Sequence, residues 1–431
     1  MTTSSGLLGT RRFLPMFLTQ FFGALNDNVL KQSLLLVFTY QLISSSTANV
    51  STLNNAAALL FILPYFLFSA TAGQIADRYE KARLIRYIKT AEIIIMLLAT
   101  VGFLGKQLWL LLLSLFLMGI HSTFFGPIKY AILPQALRDD ELMTGNALFQ
   151  SGTSLAILFG MIIGGVVMAN SHGNLIWICL TLFSIAIAGY ISCRFVPAMP
   201  LSAPDLKINW NFFATSVETL KYAWYLPKVF FAIIGISWFW FYGATYLTQI
   251  PEMTRVVLHG SETVVSLLLT MFSIGVGVGS MLCKRFTGDK VSLRMVPIGA
   301  TGLTLFAIDL FFAIQHIPAH SGELLGVAQV FDHIAYWRVM LDIVLLGMSG
   351  GFYIVPLYAF MQEQSPETHR ARIIAANNIL NALFMVVSAI IAIIVLGILK
   401  LTLANLFLFT AILSALVCGL TLTKLKRLVA G

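Results

Sequence analysis

Gly73-Gln74-Ile75-Ala76-Asp77-Arg78-Tyr79-Glu80-Lys81-Ala82-Arg83 closes a long apolar segment and runs into a basic loop. A second apolar segment closes in the same manner 206 residues later, at Gly279-Ser280-Met281-Leu282-Cys283-Lys284-Arg285-Phe286-Thr287-Gly288-Asp289-Lys290. Two more pairs follow the same rhythm. Phe125-Gly126-Pro127-Ile128-Lys129-Tyr130-Ala131 is echoed by Ile354-Val355-Pro356-Leu357-Tyr358-Ala359, with the prolines 229 residues apart. Each is followed by an Asn at the start of the next segment, Asn146 and Asn377, 231 residues apart. Offsets this similar imply one helical unit present twice, in the same direction.

The composition says what surrounds those units. The chain has 431 residues, of which 58% are hydrophobic and 10% charged, with a mean hydropathy of +0.87. A soluble domain carries about 25% charged residues. The apolar runs come in blocks of about 20, enough to cross about 30 Å of hydrocarbon as helix. They do not alternate with period two, which argues against a β-barrel. The expected fold is an all-α integral membrane protein. Its twelve spans are 13–42, 54–76, 86–104, 107–126, 145–169, 174–195, 228–250, 262–283, 294–315, 336–361, 372–397 and 401–424. They form two six-helix halves, 1–195 and 228–431, joined by a polar cytoplasmic linker, 196–227. That linker has Pro197, Pro200 and Pro204 and an amphipathic-looking stretch from Trp210 to Tyr225.

With a cytoplasmic N-terminus, 22 of the 27 Lys and Arg residues fall in cytoplasmic loops, Lys81, Lys89 and Lys129 among them. The bias fits the positive-inside rule with both termini cytoplasmic. The net charge of +9 is then a topology signal and a contact with anionic headgroups, not a nucleic-acid surface. No cleavable signal peptide is expected, because the first apolar segment is long and carries Asp27. Cys179, Cys193, Cys283 and Cys418 lack metal spacing, and no cofactor or metal is expected.

The costly residues mark the candidate site. Phe21-Phe22-Gly23-Ala24-Leu25-Asn26-Asp27-Asn28-Val29-Leu30-Lys31 puts a carboxylate, two carboxamides and an ammonium in the first span. One charge at a helix centre costs at least about 2.5 kcal/mol, so such groups line a wet path or pair with a partner. Asp27 fits the cationic amine of a headgroup or a coupling proton; the plainer alternative is an ion pair with Lys31, one turn away. Asn26 and Asn28 point to different faces, so at most one joins Asp27. Lys129 suits a phosphate or an ion pair with Asp27. Arg338 and Asp342 have the spacing of a same-helix pair. Glu252, Arg255 and Glu262 stand near the outer mouth. Glu92 and Asp309 are further intramembrane carboxylates, and each would snorkel or pair locally. The run Trp238 to Tyr242, with Tyr246, suits a lipid-facing belt or an apolar wall for a greasy substrate. The glycines of spans 5 and 8 suit close helix packing.

The Gly73 stretch resembles the signature G-x-x-x-D-R-x-x-x-x-R of the major facilitator superfamily, matched at Gly73, Asp77, Arg78 and Arg83. The second copy departs from it, with Cys283 at the Asp position. The resemblance implies a transporter of alternating access, with Asp77, Arg78 and Arg83 as a conformational latch and Lys31 counted with them among the gating residues. Three stretches resemble one branch, the bacterial lysophospholipid transporters: Phe22 to Leu30, Gly126 to Leu133, and Gly145-Asn146-Ala147-Leu148 leading into Gly164-Gly165. Val355 to Ala359 and Arg370 to Asn378 are similar to the transporter module fused elsewhere to a lysophospholipid acyltransferase and acyl-carrier-protein synthetase. No H-x-x-x-x-D motif is present, so the transport module alone is expected.

This resemblance implies a monomeric, non-enzymatic protein of the bacterial inner membrane. It would move lysophospholipids such as lysophosphatidylethanolamine for reacylation, with the acyltransferase as the partner this implies. Asp27, Asn26, Asn28, Lys129, Arg338, Asp342 and Tyr246 would meet the substrate. The rivals are a proton-coupled exporter of drugs or siderophores and a non-transporting membrane partner of the acyltransferase.

Overall fold

The computed structural model describes residues 4–40, 50–171, 174–287, 291–318, 320 and 322–430. Twelve helices of 19 to 31 residues carry the fold among them. They are α1 (Leu14–Tyr40), α2 (Val50–Arg78), α3 (Lys81–Leu104), α4 (Leu108–Ala131), α5 (Leu142–Asn170) and α6 (Ile176–Arg194). After the linker come α7 (Pro227–Glu252), α8 (Glu262–Thr287), α9 (Met295–Gln315), α10 (Ile334–Gln364), α11 (Arg370–Ala392) and α12 (Leu403–Ala430). Eleven are long and apolar enough to cross a membrane. The exception is α1, as long as the rest but made more polar by Asn26, Asp27, Asn28, Lys31 and Gln32. The protein is therefore a multi-pass α-helical membrane protein. Gly288, Asp289 and Lys290, which complete the second copy of the loop, lie outside the described residues.

The chain divides into two compact units whose borders cross the sequence halves. The first comprises 1–141, 155–223 and 365–379; the second comprises 142–154, 224–364 and 380–431. Within the first, α1 packs on α4 and α6, α2 on α4, and α3 on α4 and α6. Within the second, α7 packs on α10 and α12, α8 on α10, and α9 on α10 and α12. Each pairing in one unit recurs in the other six helices later, so the parallel repeat in the sequence is a repeat of packing.

Glycine sets how closely these helices approach. A Cβ at Gly73 would stand 2.8 Å from the Ala375 Cβ and 2.9 Å from the Arg372 Cα, so α2 lies directly on the first turns of α11. Gly275 and Gly279 of α8 likewise face the α10 backbone at Val344 and Met348. Between membrane helices, where lipid is as apolar as leucine, such close contact is the main source of association.

Candidate functional site

Asn26 and Asp27 stand about 100° apart on α1, and they face different surroundings. Asn26 is fully buried and its Nδ2 donates to Glu92 Oε1 on α3 at 2.8 Å. Glu92 Oε2 takes the Lys89 ammonium at 2.6 Å, both side chains being 0% exposed, and His121 Nε2 of α4 stands 3.2 Å from the same oxygen. Gly23 and Gly189 make room for the lysine: Cβ atoms there would stand 2.8 and 3.3 Å from its Nζ. The expectation that Lys89 is a cytoplasmic loop charge is corrected. It is a core residue whose charge the Glu92 carboxylate neutralises. Glu92 does pair locally, but inside the bundle and not towards lipid. Lys81 is also buried, its Nζ donating to Ser202 Oγ at 2.9 Å, and Lys129 lies within α4, so neither is a loop charge.

Asp27 faces elsewhere. Its Oδ2 accepts from Ser122 Oγ of α4 at 2.8 Å, and its Oδ1 is buried with no hydrogen-bond partner. The Tyr65 hydroxyl of α2 interacts with both Asp27 and Ser122. The expected ion pair with Lys31 does not form: the Lys31 ammonium sits over the Phe61 ring, 4.1 Å from its centroid. Lys129 stacks over Tyr130 at 5.0 Å and has no ion-pair partner within 4.0 Å among the described residues. Lys31, His121 and Lys129 are all electrostatic neighbours of Asp27. Asn28 turns back to the Ala24 carbonyl at 2.7 Å, with its Cβ against Gly160 of α5, so neither carboxamide joins Asp27. Around Asp27, among the described residues, a carboxylate with an unused oxygen thus stands near two ammonium groups, Lys31 and Lys129, that no ion pair holds.

The signature loop works through Asp77. Its Oδ1 accepts the Ala371 backbone N–H at 3.0 Å, and its Oδ2 accepts from Arg372 N at 3.3 Å and Arg372 Nε at 3.1 Å. A carboxylate there caps the first turn of α11, where free N–H groups and the helix dipole favour negative charge. Arg78 lies over the ring of its neighbour Tyr79, while the Arg83 backbone N–H donates to Glu80, the N-cap of α3. Asp77 is therefore held by Arg372 and the first turn of α11, and no hydrogen bond or ion pair joins it to Arg78 or Arg83 among the described residues. Asp77→Ala should weaken the cap by about 0.5–2 kcal/mol. Hydrogen exchange at Ala371 and Arg372 should then quicken roughly 2- to 30-fold; unchanged exchange would mean that the first turn of α11 stands without it.

The second unit uses its polar residues differently. Arg338 does not pair with Asp342. Its Nε donates to Asp309 Oδ2 at 3.0 Å and its terminal nitrogen to the other carboxylate oxygen. Asp342, 2% exposed, keeps a buried Oδ2 without a partner. Because Asp309 offers both oxygens to the guanidinium, a bidentate contact across two helices displaces the same-helix pair. Tyr246 is 1% exposed, stacked 4.5 Å from Tyr242 and 4.6 Å from Phe407, its hydroxyl on the Phe407 carbonyl. It packs within a core. Trp238, Phe239, Phe241 and Tyr242 are buried with it, which corrects the lipid-facing belt. Asn146 and Gln362 exchange two hydrogen bonds, at 2.7 and 3.1 Å, joining the start of α5 to the end of α10. Glu252 and Arg255 are exposed, and the Glu262 side chain lies outside those described.

The packing repeat and the Asp77 cap define a class, and the family comparison agrees. The model of the Major Facilitator Superfamily matches residues 16–313 and 247–429, and the chain belongs to that superfamily. Among its relatives is the lysophospholipid transporter LplT of Photorhabdus laumondii, 27% identical over 369 residues, which cover 83% of this chain and 82% of that one. LplT of Enterobacter sp. is 26% identical over 320 residues, 72% of this chain and 71% of its own. In fold the chain is similar to the human organic anion transporter MFSD10 (TM-score 0.72, 13% identity, 95% and 99% of the two chains). It is also similar to FucP in the outward conformation (TM-score 0.70, 10% identity, 96% and 99%).

Proposed function

We propose that this chain is a lysophospholipid transporter of a bacterial inner membrane, moving lysophospholipids between leaflets by alternating access, with α1 as a twelfth span. The observation that carries this reading is the set of buried charges around Asp27: its carboxylate keeps an unused oxygen, and Lys31 and Lys129 near it have no carboxylate within 4.0 Å among the described residues. A zwitterionic headgroup presents an amine and a phosphate, and this set offers a partner to each. The similarity to the LplT proteins over four-fifths of the chain supports the same substrate class. Only the headgroup needs a polar path, because the acyl tail is already in the bilayer.

In this proposal Asp27 meets the amine and Lys129 the phosphate, with Lys31 at the edge of the same path. Arg338 is spent on Asp309, so the second unit supplies no equally available cation from the original set. The protein performs no covalent chemistry, and an acyltransferase acting on the delivered lipid is the partner this role implies.

The experiment is ligand stabilisation of the purified protein. A ligand that binds only the folded state raises the unfolding midpoint, by about 2.7 kcal/mol at a hundred times its Kd. Lysophosphatidylethanolamine should raise it, and monoacylglycerol with the same acyl chain, lacking both charges, should do so far less. Equal effects would mean that the tail alone is recognised. Lys129→Gln should reduce the response to lysophosphatidylethanolamine and lysophosphatidylglycerol alike, because both carry the phosphate.

A further inference from the structure

The linker contains a helix, Phe212–Trp224, whose three faces have three characters. At about 100° per residue, Thr215, Thr219, Tyr222 and Ala223 share one sector with Phe212 and Ser216. That sector faces protein. Thr215, Thr219 and Ala223 are buried, Phe212 packs edge-on to Phe68 at 5.0 Å, and Ser216 Oγ reaches the Phe66 carbonyl of α2. Tyr222 stacks on His369, just before α11, at 4.4 Å. A second sector holds Phe213, Val217, Leu220 and Trp224, spaced i, i+4, i+7 and i+11. Phe213 is 83% exposed and Trp224 65%. A third sector carries Glu218 and Lys221, both exposed. The sector centres lie roughly 100–130° apart.

We infer that this helix lies in the bilayer interface, its Phe213-Val217-Leu220-Trp224 stripe seated among the lipids of one leaflet and its Glu218-Lys221 sector in water. A helix with protein, apolar and charged sectors side by side has three neighbours, and at a membrane surface these are the protein, the acyl region and water. A soluble protein partner would account for the apolar stripe but not for its place beside a span. The inner sector lies against Phe66 and Phe68, 12 and 10 residues before the end of α2, well inside the span Leu59–Arg78. The helix also ends three residues before α7, another span, with Trp224 and the exposed Tyr225 at the junction, the residue types that settle at headgroup level. The inference concerns a surface apart from the Asp27 site and does not rest on its role.

Spin labels on single introduced cysteines test it in proteoliposomes of phosphatidylethanolamine and phosphatidylglycerol. All four native cysteines are buried, so the label goes to the introduced site. Labels at Phe213, Val217, Leu220 and Trp224 should be relaxed strongly by oxygen and weakly by a nickel chelate, and labels at Glu218 and Lys221 the reverse. If the stripe labels meet nickel as readily as Glu218, the stripe is in water and the inference falls. If neither reagent reaches them, protein covers the stripe and the inference also falls. Four positions share the stripe, so failure of one variant to fold leaves three to decide.

Discussion

Glu92→Leu should lower the stability of the protein by about 3–5 kcal/mol, the cost of leaving one member of a buried ion pair without its partner. The carboxylate is the common acceptor for Lys89 and Asn26, on two helices, and His121 of a third stands 3.2 Å from it. Removing it leaves an ammonium that is 0% exposed and flanked by Gly23 and Gly189 with no counter-charge. The pair itself is less valuable than its breakage suggests, because two charges taken out of water recover their desolvation cost only partly. Lys89→Met combined with Glu92→Leu should therefore regain most of the lost stability. Thermal unfolding in detergent of the single and double variants separates the two effects. A single variant as stable as the parent, or a double variant no better than the single, would mean that the network does not hold α1, α3 and α4 together.

Asp27→Asn should cut lysophosphatidylethanolamine uptake by roughly 10- to 100-fold, the kinetic equivalent of about 1.5–3 kcal/mol for a hydrogen bond to a charged group. Stability should hardly change. Ser122 can donate to the carboxamide oxygen as it does to Oδ2, and no ion pair is broken, because Lys31 rests on Phe61. The two substitutions thus separate two polar groups one residue apart on α1. The Asn26 side belongs to the buried network of Glu92 and Lys89, and the Asp27 side to the proposed substrate path. Wild-type uptake by Asp27→Asn would remove this carboxylate from the path.

The long helices were legible because hydrocarbon thickness fixes their length. A span expected at 336–361 is Ile334–Gln364, and one expected at 174–195 is Ile176–Arg194. The repeat was legible because small residues and prolines recur where helices must approach or end. The site was legible only in part. Asp27 announced itself as a charge in an apolar run. Lys89 did not, because it follows Arg83 and Arg86 and looks like the end of a basic loop, while the space made by Gly23 and Gly189 exists only in three dimensions. The i, i+3 spacing of Lys89 and Glu92 was the available clue. Arg372 lies 295 residues from Asp77, so no local spacing could join them. For Arg338, the one-dimensional rule favoured Asp342, and a partner 29 residues away prevailed because it offers both carboxylate oxygens. Tyr246 shows the same limit: a tyrosine on a membrane helix serves a core or a cavity with the same sequence pattern.

The central claim is lipid transport, and flux measures it most directly. Purified protein in proteoliposomes should carry labelled lysophosphatidylethanolamine from the outer to the inner leaflet faster than protein-free vesicles, with Asp27→Asn close to the protein-free rate. Flux no faster than in protein-free vesicles, from folded wild-type protein that moves a cationic drug or a siderophore instead, would contradict the account.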